Sequence, residues 1–178
     1  MIPVEYFWFA LIFMLGIIGA VRGLSKELGV TTILTLTLFV LRFTWDQFLP
    51  MITNFAKNSR FDLSVEDIQA IVFSAVILFV AFISYEGFVL HFPFKEQKGV
   101  LKGFFGFLGG LFNGYLVIGT VWDVVAHADY FSPQVSVVAV QSLTEFHNTV
   151  INYLPATGIN EFLLLAIGMI LLILIVLK

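Results

Sequence analysis

Residues 103–125 read GFFGFLGGLFNGYLVIGTVWDVV and contain a single charged side chain, Asp123. A helix rises about 1.5 Å per residue and the hydrocarbon core of a bilayer is about 30 Å thick, so about 20 mostly apolar residues can cross it. The stretch therefore predicts a membrane-spanning helix. Four other apolar stretches have the same character: 6–21, 28–43, 68–90 and 159–177. Together they predict an all-α integral membrane protein with a bundle of about five transmembrane helices.

The composition of the 178-residue chain agrees with a membrane protein. Hydrophobic residues make up 60% and charged residues 12%, against about 45–50% and about 25% in a soluble domain. The mean hydropathy of +1.00 excludes a disordered chain. A net charge of −3 gives no basic surface for nucleic acid. The absence of cysteine excludes disulfides, thiolate metal sites and cysteine nucleophiles.

The charges around the apolar stretches predict the orientation. Glu5 is the only charged residue before the first stretch, whereas a secretory signal has basic residues there, so we expect that segment to stay uncleaved. Basic residues concentrate in cytoplasmic loops. Six of the nine fall on one side of the alternating stretches: Arg22, Lys26, Lys95, Lys98, Lys102 and Lys178. We therefore expect the N-terminus outside and the C-terminus in the cytoplasm.

The connections on the predicted outer side have helical patterns of their own. Apolar residues recur at helical spacing within 46–57, which indicates a short helix on the membrane surface. Ser132 and Pro133 form a helix start, and Pro155 with Gly158 a stop. Apolar residues between them are spaced by four, three, four and four: Ala139, Leu143, Phe146, Val150 and Leu154. This second segment predicts an amphipathic helix at the outer surface.

The glycine pattern of the fourth stretch is the strongest sequence feature of the chain. Their spacings of four, three, four and four place them on one helix face: Gly99, Gly103, Gly106, Gly110 and Gly114. Such a face lets another backbone approach closely, which is how membrane helices associate. The expected partner is a helix of the same chain; a docking groove for another protein or a conduction path is the alternative. Asn113 lies beside the glycines in mid-membrane, where its amide needs a hydrogen-bond partner.

The first predicted cytoplasmic turn is Arg22-Gly23-Leu24-Ser25-Lys26-Glu27. Gly23 permits a sharp reversal, Ser25 is placed to cap the second helix, and Glu27 complements the positive end of its dipole. Arg22 can reach Glu27 or a lipid phosphate. These residue types are explained by a structural role.

Several of these residues give the chain a resemblance to the colicin V production protein (CvpA) family. The matching features are Arg22-Gly23 after a first apolar helix, Glu27 four residues past that glycine, the run from Lys98-Gly99 to Gly114, and Trp122 followed by Ser132. The resemblance covers about residues 1–155. Glu5 replaces the aspartate usual in the family, and the helix from Ile159 is an addition, so we expect a four-helix core at 1–158 and a final helix at 159–178.

What the resemblance implies is a small bacterial inner-membrane protein, since members are associated with toxin export and envelope homeostasis. Similar domains are also fused to membrane-anchored proteases, so the family name does not give an activity. We expect no enzyme: the Walker loop, GxSxG and HExxH patterns are missing. His91, His127 and His147 lack a metal-ligand spacing, and no metal or cofactor is expected.

The first functional hypothesis is a scaffold or accessory subunit that binds other membrane proteins through the glycine-rich helix or the final helix. Its expected partners are the lipid bilayer, a larger membrane complex (respiratory, photosynthetic or secretory) or a second copy of the chain. The alternative is a channel or transport component of the envelope or secretion system, with the threonine-rich second helix and Asn113 as polar walls. An intramembrane enzyme comes third.

Overall fold

The computed structural model describes residues 4–58, 63–87, 90, 92, 99–131 and 145–177, and all regular structure in them is helical. A π-helical segment, Tyr115–Gly119, joins the helix that ends at Gly114 to the helix that begins at Thr120, and a 3₁₀ turn, Asp129–Phe131, follows that second helix. The helices are α1 (Val4–Arg22), α2 (Leu24–Asn58), α3 (Val65–Glu86), α4 (Val100–Gly114), α5 (Thr120–His127), α6 (Glu145–Ile151), α7 (Pro155–Gly158) and α8 (Glu161–Val176).

Among the described residues, four helices are long and apolar enough to cross a membrane, and each corresponds to one of the five predicted stretches: Glu5–Arg22, Leu24–Lys57, Val65–Glu86 and Val100–His127. The all-α fold with membrane-spanning helices is confirmed to this extent, and the chain is compatible with a multi-pass membrane protein. Helix α8 has 16 residues, so its length of about 24 Å is less than a typical hydrocarbon core. The fifth span stays a prediction.

The surface segments differ from the sequence pattern in one respect. A separate helix over 46–57 is wrong, because α2 continues without interruption to Asn58 and includes Pro50. Proline inside a helix removes one main-chain donor and commonly kinks the helix, but α2 is helical on both sides of Pro50. The amphipathic helix starting at Ser132 stays a prediction, because 132–144 lie outside the described residues; α6 occupies the end of that segment.

Helix α2 lies at the centre of the bundle, where it packs against α3, α4 and α8. Helix α1 packs along α4, and α3 also contacts α5. Contacts along α1 and α4 run in opposite order, so the two helices are antiparallel. The end where α1 turns into α2 is called the Gly23 end below. The opposite end, where α5 finishes, is called the Trp122 end.

Two apolar clusters fill the bundle. One lies between α2, α3 and the π-helical segment and includes Leu34, Leu38, Ile77 and Leu116, all fully buried. The other lies toward the Trp122 end, where Phe73 of α3 packs near Val124 of α5. Polar groups border both clusters, and they form the candidate site.

Candidate functional site

Close contact between α1 and α4 sets the geometry of the Gly23 end. A Cβ added to Gly106 would lie 2.3 Å from the main-chain oxygen of Gly19, and one added to Gly110 would lie 2.4 Å from that of Leu15. Gly114 is similarly placed against Ile12, at 2.9 Å. Side chains at these positions would collide with backbone, so glycine is required for the approach.

The remaining glycines of the predicted stripe lie at its edge. A Cβ on Gly103 would be 3.9 Å from the main-chain oxygen of Ala20, which is ordinary contact, and one on Gly99 would have nothing within 4 Å. Gly109, which is outside the predicted stripe, faces α2 instead: its added Cβ would lie 2.8 Å from Cβ of Glu27. Glycines of α4 thus admit α1 on one face and Glu27 on another.

Glu27 is fully buried in the first turn of α2. Asn113 donates from Nδ2 to Glu27 Oε2 at 2.8 Å and to the main-chain oxygen of Glu27 at 3.0 Å. The Tyr85 hydroxyl donates to the same Oε2 at 3.0 Å. A buried carboxylate costs several kcal/mol unless such donors compensate for lost water. Donors from α3 and α4 therefore stabilise a carboxylate from α2.

Arg22 completes the network from the end of α1. Its Nε lies 3.4 Å from Glu27 Oε1, and its side chain is only 16% exposed. The guanidinium carbon lies 4.3 Å from the centroid of the Tyr85 ring, a cation–π distance. The Thr31 hydroxyl lies 2.7 Å from Asn113 Oδ1 and fixes the direction of that amide. We call Arg22, Glu27, Thr31, Tyr85 and Asn113 the Glu27 network; its members come from α1, α2, α3 and α4.

The other predicted turn residues have simpler positions. Gly23 has a φ of +89°, a left-handed conformation that glycine adopts without strain. Ser25 lies inside α2 rather than before it, and its hydroxyl donates to the main-chain oxygen of Phe92 at 2.8 Å. Ser25 therefore attaches the chain after α3 to the start of α2.

A second buried cluster lies at the Trp122 end. Trp8 stacks on the fully buried Trp122 with 6.1 Å between ring centroids. The Trp122 indole donates to the Tyr130 hydroxyl at 3.3 Å, and that hydroxyl lies 3.2 Å from Nε2 of His147. Glu5, also buried, acts electrostatically on Tyr130 and His147. These five residues, the Trp122 cluster, join α1, α5, the 3₁₀ turn and α6.

Burial shifts the pKa values of His147 and Tyr130, two residues of this cluster that lie outside the spanning helices. Burial lowers the pKa of His147 below its ordinary 6.5, and the negative charge of Glu5 opposes part of that shift. Burial and the same charge raise the pKa of Tyr130 to about 12, although its hydrogen bond from Trp122 acts the other way. At neutral pH the cluster therefore holds a neutral imidazole and a protonated phenol.

Backbone strain accompanies this cluster. Asp129, Tyr130 and Phe131 all have left-handed φ angles, of 45°, 55° and 58°, which cost non-glycine residues about 1 kcal/mol or more each. Tyr130 is buried, its ring packs on that of His147, and its hydroxyl contacts both Trp122 and His147. The turn therefore depends on the packing around it.

Near the Trp122 end, polar side chains also attach the segment before α8. Asp123, fully buried, accepts from the main-chain nitrogen of Thr157 at 2.8 Å and from its hydroxyl. The Arg42 guanidinium donates to the main-chain oxygen of Ile159. Asp123 and Arg42 therefore both hold the α7–α8 segment against the bundle.

The described residues contain no group of three or more potential metal ligands. Comparisons of the chain with protein-family models, curated proteins and solved structures found no match.

Proposed function

We propose that this protein is a non-enzymatic membrane scaffold or accessory subunit that binds other integral membrane proteins. The observation that supports it most directly is the inward direction of the polar groups: Glu27, Asn113 and Asp123 are fully buried and bonded within the chain. The outward helix faces are apolar. Such a bundle meets its neighbours in the bilayer through apolar side chains, by van der Waals packing.

Helix α8 is the favoured docking element. Gly106, Gly110 and Gly114 already contact α1, so the face with those glycines is not accessible to a partner while α1 is in place. Helix α8 packs chiefly on α2 through Leu164 and Gly168. Large apolar side chains of α8 remain exposed on the other side: Phe162, Leu163, Met169, Ile170, Ile173 and Leu174. The partner is a different membrane protein or a second copy of the chain.

We also propose where the protein is located: in a bacterial inner membrane, with the N-terminus outside and the C-terminus in the cytoplasm. The resemblance to the CvpA family supports it, since Arg22, Gly23 and Glu27 are among the residues that carry the resemblance and they meet at the Gly23 end. The lack of cysteine permits a direct test with single cysteines. In intact cells, a membrane-impermeant maleimide should label Asn152→Cys and spare Leu101→Cys; the reverse pattern would overturn the orientation.

Purification in a mild detergent or in polymer nanodiscs tests the scaffold itself. We expect a stoichiometric complex for the wild type and its loss in the double variant Leu163→Ala/Ile170→Ala on α8. The matched control is Phe13→Ala/Ile17→Ala, which changes two exposed residues of α1. A wild-type protein that is a lone, stable monomer at native abundance would argue against the scaffold, and equal losses in both variants would argue against α8.

A channel or transport component is the second candidate, because a buried ion pair within membrane helices is a common mark of ion handling. Arg22 and Glu27 are such a pair. However, the hydroxyls of Thr32, Thr35 and Thr37 bond to carbonyls of their own helix, so they offer little to a polar path. Ion flux into vesicles that depends on Glu27 and disappears in Glu27→Gln would favour transport over the scaffold.

A further inference from the structure

A lipid-facing groove runs between α1 and α3. Its rims carry exposed side chains of both helices, Met14, Leu78 and Phe82, and its floor contains the buried Val117 of the π-helical segment. The lining is almost wholly apolar, and Tyr85 marks its end toward Gly23. The volume is about 310 Å³. This groove adjoins the Glu27 network through Tyr85.

The length and lining of the groove indicate what fits it. Leu78 and Tyr85 lie seven residues apart on α3, a length of about 10 Å. Along that length the groove is apolar and faces the bilayer, so a hydrocarbon chain of a neighbouring lipid can lie in it without leaving a polar group unpaired.

A cation lies at the Gly23 end of the groove. Arg22 stacks on Tyr85, and its spacing of seven and eleven residues from Leu15 and Leu11 puts it on the same face of α1 as that rim. The Arg22 side chain is 16% exposed while its partner Glu27 is fully buried, so what is accessible of the pair belongs to the cationic residue. Arginine presents a fork of donors that matches phosphate oxygens.

The described charges at this end also favour an anion. Arg22, Lys26 and Lys102 outnumber the carboxylates of Glu27 and Glu86, and the side chain of Lys102 lies over Gly23. From these observations we propose that the groove binds one acyl chain of a membrane phospholipid, whose phosphate accepts hydrogen bonds from Arg22. Such a lipid fills the space between α1 and α3 and covers the Glu27 network from the bilayer side. This site is independent of the scaffold function, since it needs no partner protein.

Native mass spectrometry of the detergent-purified full chain tests the proposal, with phosphatidylglycerol as the probe. We expect one tightly held phosphatidylglycerol per chain in the wild type, and at least a tenfold weaker association in Met14→Trp, whose indole would fill the groove. The matched control is Met169→Trp: Met169 lies on α8, and the two methionines have similar exposure, 51% and 44%. Leu78→Trp supplies a second groove variant if Met14→Trp fails to fold.

Diacylglycerol with the same chains separates the phosphate contact from the apolar contact. We expect it to bind at least tenfold more weakly than phosphatidylglycerol; equal binding would overturn the role of Arg22. Wild-type protein that holds no phospholipid, or groove variants that hold it as well as Met169→Trp does, would overturn the site. A second copy of the chain, detected as a dimer that excludes lipid and is lost in Met14→Trp, would also overturn it.

Discussion

The side-chain amide of Asn113 donates to Glu27 twice, once to the carboxylate at 2.8 Å and once to the main-chain oxygen at 3.0 Å. Asn113 lies halfway along the continuous helix Val100–His127, so this pair joins the middle of one spanning helix to the start of another. Tyr85 and Arg22 bring in α3 and α1. The four spanning helices thus meet at one buried carboxylate.

Truncation of Asn113 should destabilise the bundle. In Asn113→Ala the Glu27 carboxylate loses its closest donor, and Thr31 keeps only the main-chain oxygen of Glu27 as an acceptor. An under-satisfied buried group costs about 1–3 kcal/mol, more when it is charged. We expect the free energy of unfolding in mixed micelles to fall by about 3 kcal/mol. The control Asn152→Ala, at an exposed position, should change it by less than about 1 kcal/mol. Equal effects of the two variants would contradict the role of Asn113.

Removal of either partner of the Arg22–Glu27 pair should cost more than removal of both. Arg22→Gln leaves the Glu27 charge buried with two neutral donors, and Glu27→Gln leaves Arg22 beside an amide. Breaking one side of a buried pair costs about 3–5 kcal/mol, whereas neutral replacements of both partners are often tolerated. A double-mutant cycle on unfolding free energies should therefore give a coupling above about 1 kcal/mol. Additive losses would mean that the two charges do not stabilise each other.

The predictability of this structure differs between its parts. Long apolar stretches were enough to predict the spanning helices, because hydrocarbon leaves the backbone few alternatives. The length of α2 was not predictable from them, since the polar residues near Asp46 interrupt the hydropathy without interrupting the helix. Glycine spacing in α4 defined a face, but the spacing alone cannot name the helix that packs on it.

Only part of the Glu27 network could be predicted from the sequence. Asn113 in an apolar helix required a hydrogen-bond partner, and Arg22 was within reach of Glu27. However, an acidic residue such as Glu27 in the first turn of a helix is also explained by its interaction with the helix dipole. Tyr85 gave no signal, and Thr31 was only one of several threonines of the second helix, whose pattern does not name a partner. His147 was likewise missed: its burial depends on the fold of α6 against Trp122 and Tyr130, which no local pattern encodes.

A methyl group at Gly110 should separate α1 from α4. The added Cβ would lie 2.4 Å from the main-chain oxygen of Leu15, so the backbone must move, and overpacking of this kind costs about 1–3 kcal/mol or more. Gly103→Ala is the control on the same helix, with its nearest neighbour at 3.9 Å. We expect Gly110→Ala to lower the thermal midpoint in detergent by several degrees while Gly103→Ala leaves it unchanged or raises it, since alanine favours helix. Similar midpoints for both variants would contradict the close α1–α4 contact.

Acidification should destabilise the Trp122 cluster through His147. The pKa of the folded state lies below the ordinary 6.5, because burial in contact with Tyr130 and Trp122 disfavours the charged ring. Between those two pKa values the unfolded chain binds more protons than the folded chain, so stability is complete above about 6.5 and is lost as the pH falls through the folded-state pKa. One such group changes the unfolding free energy by at most about 1.4 kcal/mol per pH unit.

Unfolding series at pH 8, 7, 6 and 5 test this role of His147. The unfolding free energy of His147→Gln should decline less steeply with falling pH than that of the wild type, because glutamine can bond to Tyr130 without titrating. The control is His127→Gln, at a half-exposed histidine that contacts Asp123, and it should retain the contribution of His147 to the pH dependence. If the unfolding free energy of His147→Gln declined as steeply as that of the wild type, the imidazole of His147 would not control the pH dependence.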